Sequence, residues 1–516
     1  MEVQNGGKPV LQEIGPYRYI EWKEKVNLVD DIADDTITYS NLNTWYFLKE
    51  KSHPLTGDEM VTIPHLPLLS VLLVAEQDFP TPMLTIVNAA VPYIYGKLGS
   101  VFMTAKVKEL LFDGVLIDCT AKNIVPKAIC IAIKQNSKAL VKLGNNKYLF
   151  SFFGIRNATA EEARITVKKG VQDVYSIGKV VAMNGNSENV VWSGGECRRF
   201  SGTDSTIFPP FRKPDNYSIV AFSPEICRTM TGAFVGNGEY QGVRGYKYEV
   251  SLGDMKRNPG EMCFCPSPDR CLGKGTTDLT KCQGAPLIGS LPHFYDAEED
   301  YLNGVVGLKP DKDSHEITFI MEPISGVPLL ARKRLQFNIH LHPVRFVNLT
   351  KKLTPTLVPI FWIEENLDLG DELMGFLEAN LLTNLRLVDV VKWMLIVVGA
   401  GVCVAGVVLY RMKKEAKKKT SSREDLLPPG NDDVEVLDPS RLSSSTASLV
   451  PSLVMPTAPV TRTGWDIMPS PSLQLPAVET IRASPGISSS APLEPRARAS
   501  AEQHSRLSTG GRLRKF

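Results

Sequence analysis

The sequence predicts an α+β protein: a large antiparallel body with short helices, followed by one membrane-spanning helix. Three observations carry that expectation. Trp393 to Tyr410 reads WMLIVVGAGVCVAGVVLY without one charge. The residues before it alternate many short extended segments with a few helical ones, and βαβ spacing is missing. Eight of the nine cysteines precede this apolar run, and the ninth, Cys403, lies inside it.

The apolar run sets the class. At about 1.5 Å per residue it spans roughly 27 Å, close to the ~30 Å hydrocarbon core of a bilayer. Trp393 and Tyr410 stand at its ends as interfacial aromatics, and RMKKEAKKK (Arg411 to Lys419) follows at once. Lys and Arg collect on the cytoplasmic side of a spanning helix, so residues 1–390 are expected outside, 391–410 in the membrane and 411–516 inside. The inner segment has stretches such as SSST (Ser443 to Thr446) and ASPGISSSAP (Ala483 to Pro492). Its few apolar residues cannot offset the entropy of ordering, so a disordered tail is expected. Met1 opens onto EVQNGGKPV with no apolar leader that would start translocation of such an ectodomain.

Within 1–390 the clearest strand is Arg334 to His342, RLQFNIHLH, with Leu335, Phe337, Ile339 and Leu341 on one face and Arg334, Gln336, Asn338 and His340 on the other. Thr36 to Tyr39 and Tyr148 to Phe153 also read as strands. Leu68 to Leu73 and Phe102 to Phe112 read as helical, the latter through Val107, Leu110 and Leu111 on one side.

Composition excludes some functions. A net charge of +2 over 516 residues argues against a nucleic-acid binder. No GxSxG elbow, HExxH or GxxxxGK[ST] loop is present. Ser205 follows Asp204, but no histidine can be paired with them, so GTDSTIFPPF (Gly202 to Phe211) reads as a tight turn before a buried aromatic run. His293 stands near Asp296, Glu298, Glu299 and Asp300 in LPHFYDAEED. That run can bind a metal, but a solvated loop is the commoner meaning of such a stretch, and no cofactor is expected. Cys263, Cys265, Cys271 and Cys282 allow either a thiolate zinc site or disulfides; the paired CxxC knuckles of zinc sites are missing and an oxidising compartment favours disulfides. Asn157, Asn216 and Asn348 each open an acceptor sequon for N-glycosylation.

Longer phrases carry a family. GGKPVLQEIGPYRY (Gly6 to Tyr19), FSFFGIRNAT (Phe150 to Thr159), GTDSTIFPPF, CFCP (Cys263 to Pro266), KCQGAPLIGSLPHFY (Lys281 to Tyr295) and MEPISGVPLLARKRLQFNIHLHPV (Met321 to Val344) resemble the class B scavenger receptors. DDTITYSNLNTWYF (Asp34 to Phe47), LTGDEMVTIPH (Leu55 to His65) and DCTAKNIVPKAIC (Asp118 to Cys130) are most similar to their insect branch, the sensory neuron membrane proteins.

The resemblance implies a two-pass receptor whose first membrane helix lies upstream of Met1. It implies an antiparallel β-barrel-like core, an apical helical bundle and an internal lipid tunnel. It pairs Cys197 with Cys263, Cys227 with Cys282 and Cys265 with Cys271, and leaves Cys119 and Cys130 either bonded or as free thiols. It makes Lys97, Lys106 and Lys108 candidates for orienting a ligand headgroup, with Lys97 nearest the family's gating lysines. It further implies a long-chain lipid or fatty-acid-derived ligand, an odorant receptor channel complex and an odorant-binding carrier as partners, and the plasma membrane of olfactory neuron cilia as the location. A general scavenger role for lipids, lipoproteins or dying cells is the other reading the same fold supports.

Overall fold

The computed structural model describes residues 2–136, 140–213, 218–267, 270–424 and 509–515. The Asn216 sequon and most of the tail lie outside them. The chain divides into two units, residues 1–382 with 505–516, and residues 383–504.

The first unit begins with a long hairpin, β1 (Ile14–Asp31) and β2 (Thr36–Phe47), paired from Tyr19↔Phe47 to Asp31↔Thr36. After the one-turn helix α1 (Lys49–Ser52), β3 (Met60–Pro64) pairs with β4 (Phe102–Lys106) around α2 (Leu66–Asp78) and α3 (Thr81–Tyr95). Leu68, Leu72 and Ala75 of α2 bury with Leu84, Val87 and Val91 of α3, the i, i+3, i+4 stripe that an amphipathic helix pair needs. A second small sheet sets β5 (Val115–Asp118) and β6 (Leu140–Gly144) on either side of β7 (Lys147–Phe150), with α4 (Ile124–Asn136) between β5 and β6 in the chain.

Phe102 to Phe112 is therefore not one helix. Pairing with β3 holds 102–106 extended, and only 107–113 is helical, burying Val107, Leu110 and Leu111 on one side as expected. A ladder partner outweighed the local period.

The main sheet takes the rest: β8 (Thr159–Ala160), β9 (Ile165–Lys168), β10 (Val180–Met183), β11 (Ile219–Ser223), β12 (Arg228–Tyr240), β13 (Val243–Val250), β14 (Thr276–Asp278), β15 (Ile288–Ser290), β16 (Ile317–Met321), β17 (Pro328–Leu341), β18 (Thr356–Asp368) and β19 (Thr509–Lys515). Its order is β10-β9-β2-β1-β19-β18-β17-β16-β13-β12-β11, with β8 on β2 and the β14–β15 pair on β17. The ladders are antiparallel throughout.

The expected barrel-like core is thus an open sheet, not a closed barrel. Its outer strands β10 and β11 are not ladder partners; the segment Gly202–Asp204 links them through Val180 N to Gly202 O (3.0 Å), Thr203 N to Val220 O (3.1 Å) and Phe222 N to Thr203 O (2.8 Å). Gly202 has φ 76°, and a Cβ there would collide with the Val220 carbonyl.

β17 corrects the simple alternation read from its sequence. Gln336 and Asn338, expected on a polar face, are both fully buried. β15 covers them: Gln336 Nε2 donates to Ser290 Oγ (3.1 Å), and Asn338 Nδ2 donates to Ile288 O (2.9 Å) and Ser290 Oγ (3.0 Å). His293 is buried rather than in a solvated loop, stacked on His315 at 4.3 Å with its Nδ1 accepting from Lys309 N (2.9 Å).

The second unit is described by one helix, Thr383–Glu424, whose residues 393–410 all face outward. It is long and apolar enough to cross a membrane.

Candidate functional site

Two neighbouring cavities lie in the first unit. The smaller, about 240 Å³, is apolar. Phe152, Phe153, Phe208, Phe222, Phe337 and Phe361 line it, with Leu66, Ile226 and Leu252. Phe361 organises this wall, stacking on Phe337 at 4.9 Å and meeting Phe152 at 4.3 Å and Phe153 at 6.2 Å. The packing follows from the chain: β7 ends at Phe150, and Phe152 N and Phe153 N donate to Leu110 O and Leu111 O, turning both rings inward.

The larger cavity, about 1170 Å³, has a mixed lining of apolar and charged side chains. Lys23, Lys25, Glu161, Glu162, Asp204 and Lys281 contribute to its wall. A uniformly apolar tunnel with few charges does not describe this chamber. Arg156, Ser205, Phe208, Glu225, Lys333 and Glu365 line both cavities, so the two share a charged wall.

That wall is built by strand register. Lys23 on β1, Lys333 on β17 and Glu365 on β18 meet there, Lys333 and Glu365 being directly opposed in the ladder. Lys23 Nζ lies 2.5 Å from Glu365 Oε1 and 3.7 Å from Glu21 Oε2, while Lys333 Nζ lies 3.8 Å from Glu365 Oε2 and donates to Ser205 Oγ at 3.2 Å. Burial favours the neutral form of Glu365, yet Lys23 and Lys333 outweigh it and hold the carboxyl far below its usual range. Glu21, 7% exposed, goes the other way: burial, then the Glu365 and Glu225 charges, push it up to about 7 against the pull of Lys23 and Lys333.

Asp204 fastens the linking segment beside this wall. It accepts Tyr39 Oη at 2.5 Å, Lys25 Nζ at 2.7 Å and Thr206 Oγ1 at 2.8 Å, and these donors hold it ionised although burial opposes that. Ser205 has φ +66°, a left-handed position at a tight turn. Its hydroxyl is engaged by Lys333, and no histidine joins it in either cavity wall.

Four disulfides are present among the described residues. Cys197–Cys263, Cys227–Cys282, Cys265–Cys271 and Cys119–Cys130 have Cα separations of 5.9, 5.7, 4.8 and 5.8 Å. A Cys263/Cys265/Cys271/Cys282 zinc site does not form, since each sulfur is bonded to another. Among the described residues no group of His, Cys, Asp and Glu is placed to hold a metal, the His293 run included. Asn348 is exposed in a turn, whereas Asn157 is half-buried and its Oδ1 accepts Trp45 N at 3.0 Å.

The three candidate headgroup lysines are split. Lys97 is exposed in the loop after α3, while Lys106 ends β4 and Lys108 caps the following turn. Lys106 and Lys108 both grip Asp58 at 2.9 Å. None of the three lines either cavity. Lys333 and Glu365, which line both cavities, and Lys23, which lines the larger one and contacts Glu365, were missed by sequence reasoning. Glu21, Lys23 and Lys25 at every second position of IEWKEKV were the available signal, a charged stripe on one face of a strand.

A disulfide-tied sheet body with an internal apolar cavity, joined to a helix able to cross a membrane, defines a membrane receptor of the scavenger type. The CD36 family profile matches residues 1–410, and the chain belongs to that family. Sensory neuron membrane protein 1 of Apis mellifera is 44% identical over 418 residues, 81% of this chain and 80% of the bee protein. The proteins of the same name from Pediculus humanus subsp. corporis and Mamestra brassicae are 41% and 39% identical, covering 81% and 85% of this chain and 80% and 84% of their own. Family and helix together fit a plasma-membrane protein with lipid ligands.

Proposed function

We propose that this chain is an olfactory co-receptor that captures fatty-acid-derived pheromones and passes them through its ectodomain to an odorant receptor channel. The observation that carries this reading is the aromatic-lined cavity sharing a wall with a larger chamber in the same unit. Each buried CH₂ of a ligand gains about 0.8 kcal/mol, enough for such a cavity to take a chain from a water-borne carrier protein. The names of its relatives support placing it in the membrane of sensory neurons; we place it in the ciliary membrane, with residues 1–390 outside and the Lys-rich run after 410 inside. We read it as a non-catalytic receptor, in keeping with its membership of a family of receptors. A general scavenger receptor is the alternative the family supports.

Ala285 is a small residue of the apolar wall. Olfactory neurons carrying Ala285→Phe should display the protein normally, lose sensitivity to long-chain lipid odorants and keep responses to small water-soluble ones. Equal rescue by variant and normal protein would sink the conduit reading in favour of surface docking. Absence of the transcript from sensory neurons would favour the scavenger reading.

A further inference from the structure

Five apolar side chains of the first unit, Ile32, Val171, Tyr175, Phe211 and Phe376, are each more than half exposed, and a chain of contacts places them at one end of the main sheet. Phe211 N donates to Ile324 O (2.9 Å) and Arg212 N to Pro323 O (2.6 Å), which lays Phe211 on the β16–β17 turn. Val327 and Leu329, on the other limb of that turn, pack with Met374 and Leu377 of the short helix Asp371–Leu377. The outer side of this helix presents Phe376. Tyr175 lies 6.4 Å from Phe211, ring to ring. Val171 N donates to Asp35 Oδ1 at 3.3 Å, and Asp35 belongs to the β1–β2 turn that carries Ile32.

The chain leaves the first unit at the same end. After Asp371–Leu377 come only Glu378–Leu382 before Thr383–Glu424, the helix able to cross a membrane, so this end is tethered to the bilayer.

The local chemistry of these turns suits a lipid surface. Unsatisfied backbone N–H groups are what bar a loop from an apolar medium. Here the turns' own carboxylates take them: Asp31 Oδ1 accepts Ala33 N (3.0 Å) and Asp34 N (3.1 Å), Asp35 Oδ2 accepts Gln172 N (3.1 Å), and Asp173 Oδ1 accepts Tyr175 N (3.0 Å). The acids are thereby drawn into the turns while the apolar side chains point out. Lys169 Nζ meets Asp30 Oδ1 at 2.5 Å and Lys168 Nζ reaches the Asp34 carbonyl at 2.5 Å, so cations stand beside the acids of the tip. Paired charge of this kind matches a zwitterionic leaflet. Aromatic and aliphatic side chains on loop tips gain free energy at the headgroup boundary, where a ring can bury its body and keep its polar edge wet.

We propose that Ile32, Val171, Tyr175, Phe211 and Phe376 form a fringe that dips into the headgroup layer of the bilayer and sets the footing of the first unit on it. The occupant is zwitterionic phospholipid rather than a protein partner. The side chains stand on separate turns and a helix, a relief that fluid lipid can fill, and the chain itself enters the bilayer from this end. The fringe is independent of what the two cavities hold.

The test uses the full chain carrying Cys403→Ser in phosphatidylcholine nanodiscs, spin-labelled at one position at a time. The labelled variants are Ile32→Cys, Tyr175→Cys, Phe211→Cys and Phe376→Cys, with Lys97→Cys on the exposed loop after α3 as the reference. Relaxation by oxygen against a water-soluble nickel chelate reads depth. The four fringe labels should lie about 5–10 Å into the headgroup and acyl boundary, and the Lys97 label should read as fully aqueous. A second measurement adds no cysteine: Tyr175→Trp should contribute emission that bromine-labelled phosphatidylcholine quenches beyond the level of the unsubstituted chain. Aqueous readings at all four fringe positions, or no added quenching at 175, overturn the fringe. Labels closed to both relaxing agents, as at a protein–protein contact, overturn it as well. None of these outcomes bears on lipid capture by the cavities.

Discussion

Arg334 and Glu364 face each other across the β17–β18 ladder, Nε to Oε2 at 2.6 Å, with only 7% and 3% of their side chains exposed. Arg334 Nη1 also donates to the carbonyls of Asp313 (3.0 Å) and Glu316 (2.6 Å), so both of that nitrogen's N–H groups are occupied as well. A buried ion pair satisfied in this way contributes little net stability, but each half is costly without the other. Arg334→Leu should destabilise the ectodomain by about 3–5 kcal/mol, and adding Glu364→Leu should recover most of that loss. Chemical denaturation of the two variants measures both; a double variant no better than the single one would contradict the account.

Removing disulfides should cost stability in order of loop length. Replacing Cys197 and Cys263 by serine opens a loop of 66 residues, worth about 4 kcal/mol on the chain-entropy treatment, against roughly 2 for the 6-residue loop of Cys265–Cys271. Thermal unfolding of the paired serine variants should rank them in that order.

Glu21 titrates near 7 in the folded chain and near 4.5 when unfolded. The folded state therefore holds the extra proton between those values, and stability falls as pH rises through that window. Glu21→Gln removes the titration, so it should leave stability at pH 4 nearly unchanged and raise it by on the order of 1–3 kcal/mol at pH 8. Urea midpoints across the range decide it; parallel curves for the two proteins would rule out Glu21 as the source.

β19 pairs with both β1 and β18, Ile20 opposite Gly510 and Glu365 opposite Gly511. A helix that crosses a bilayer carries all later residues to the far side, so this pairing and membrane insertion of residues 391–410 exclude each other. Cysteines at Ile20 and Gly510 should cross-link in the chain kept out of membranes and fail to do so once it is inserted. Cross-linking in the inserted protein would show that the helix does not span.

The membrane helix was legible because its signal is local. Eighteen uncharged residues flanked by aromatics and lysines need no partner to be recognised, and the structure extends the same helix to Thr383–Glu424. The strand β17 was legible in extent, but its buried face was not. Gln336 and Asn338 look solvent-facing until β15, some fifty residues earlier in the chain, is laid over them. Phe102–Lys106 shows the same dependence: its apolar spacing suits a helix, and only the β3 ladder makes it a strand.

The sequence by itself determined which side chains are apolar, which cysteines exist to be paired and where the chain can enter a bilayer, all properties of single residues or of short runs. Only the tertiary structure decided that Lys23, Lys333 and Glu365 would meet between two cavities. Lys23 is separated from the other two by hundreds of residues, each is an ordinary surface charge in isolation, and their meeting depends on the register of three strands whose pairing is set by burial throughout the sheet.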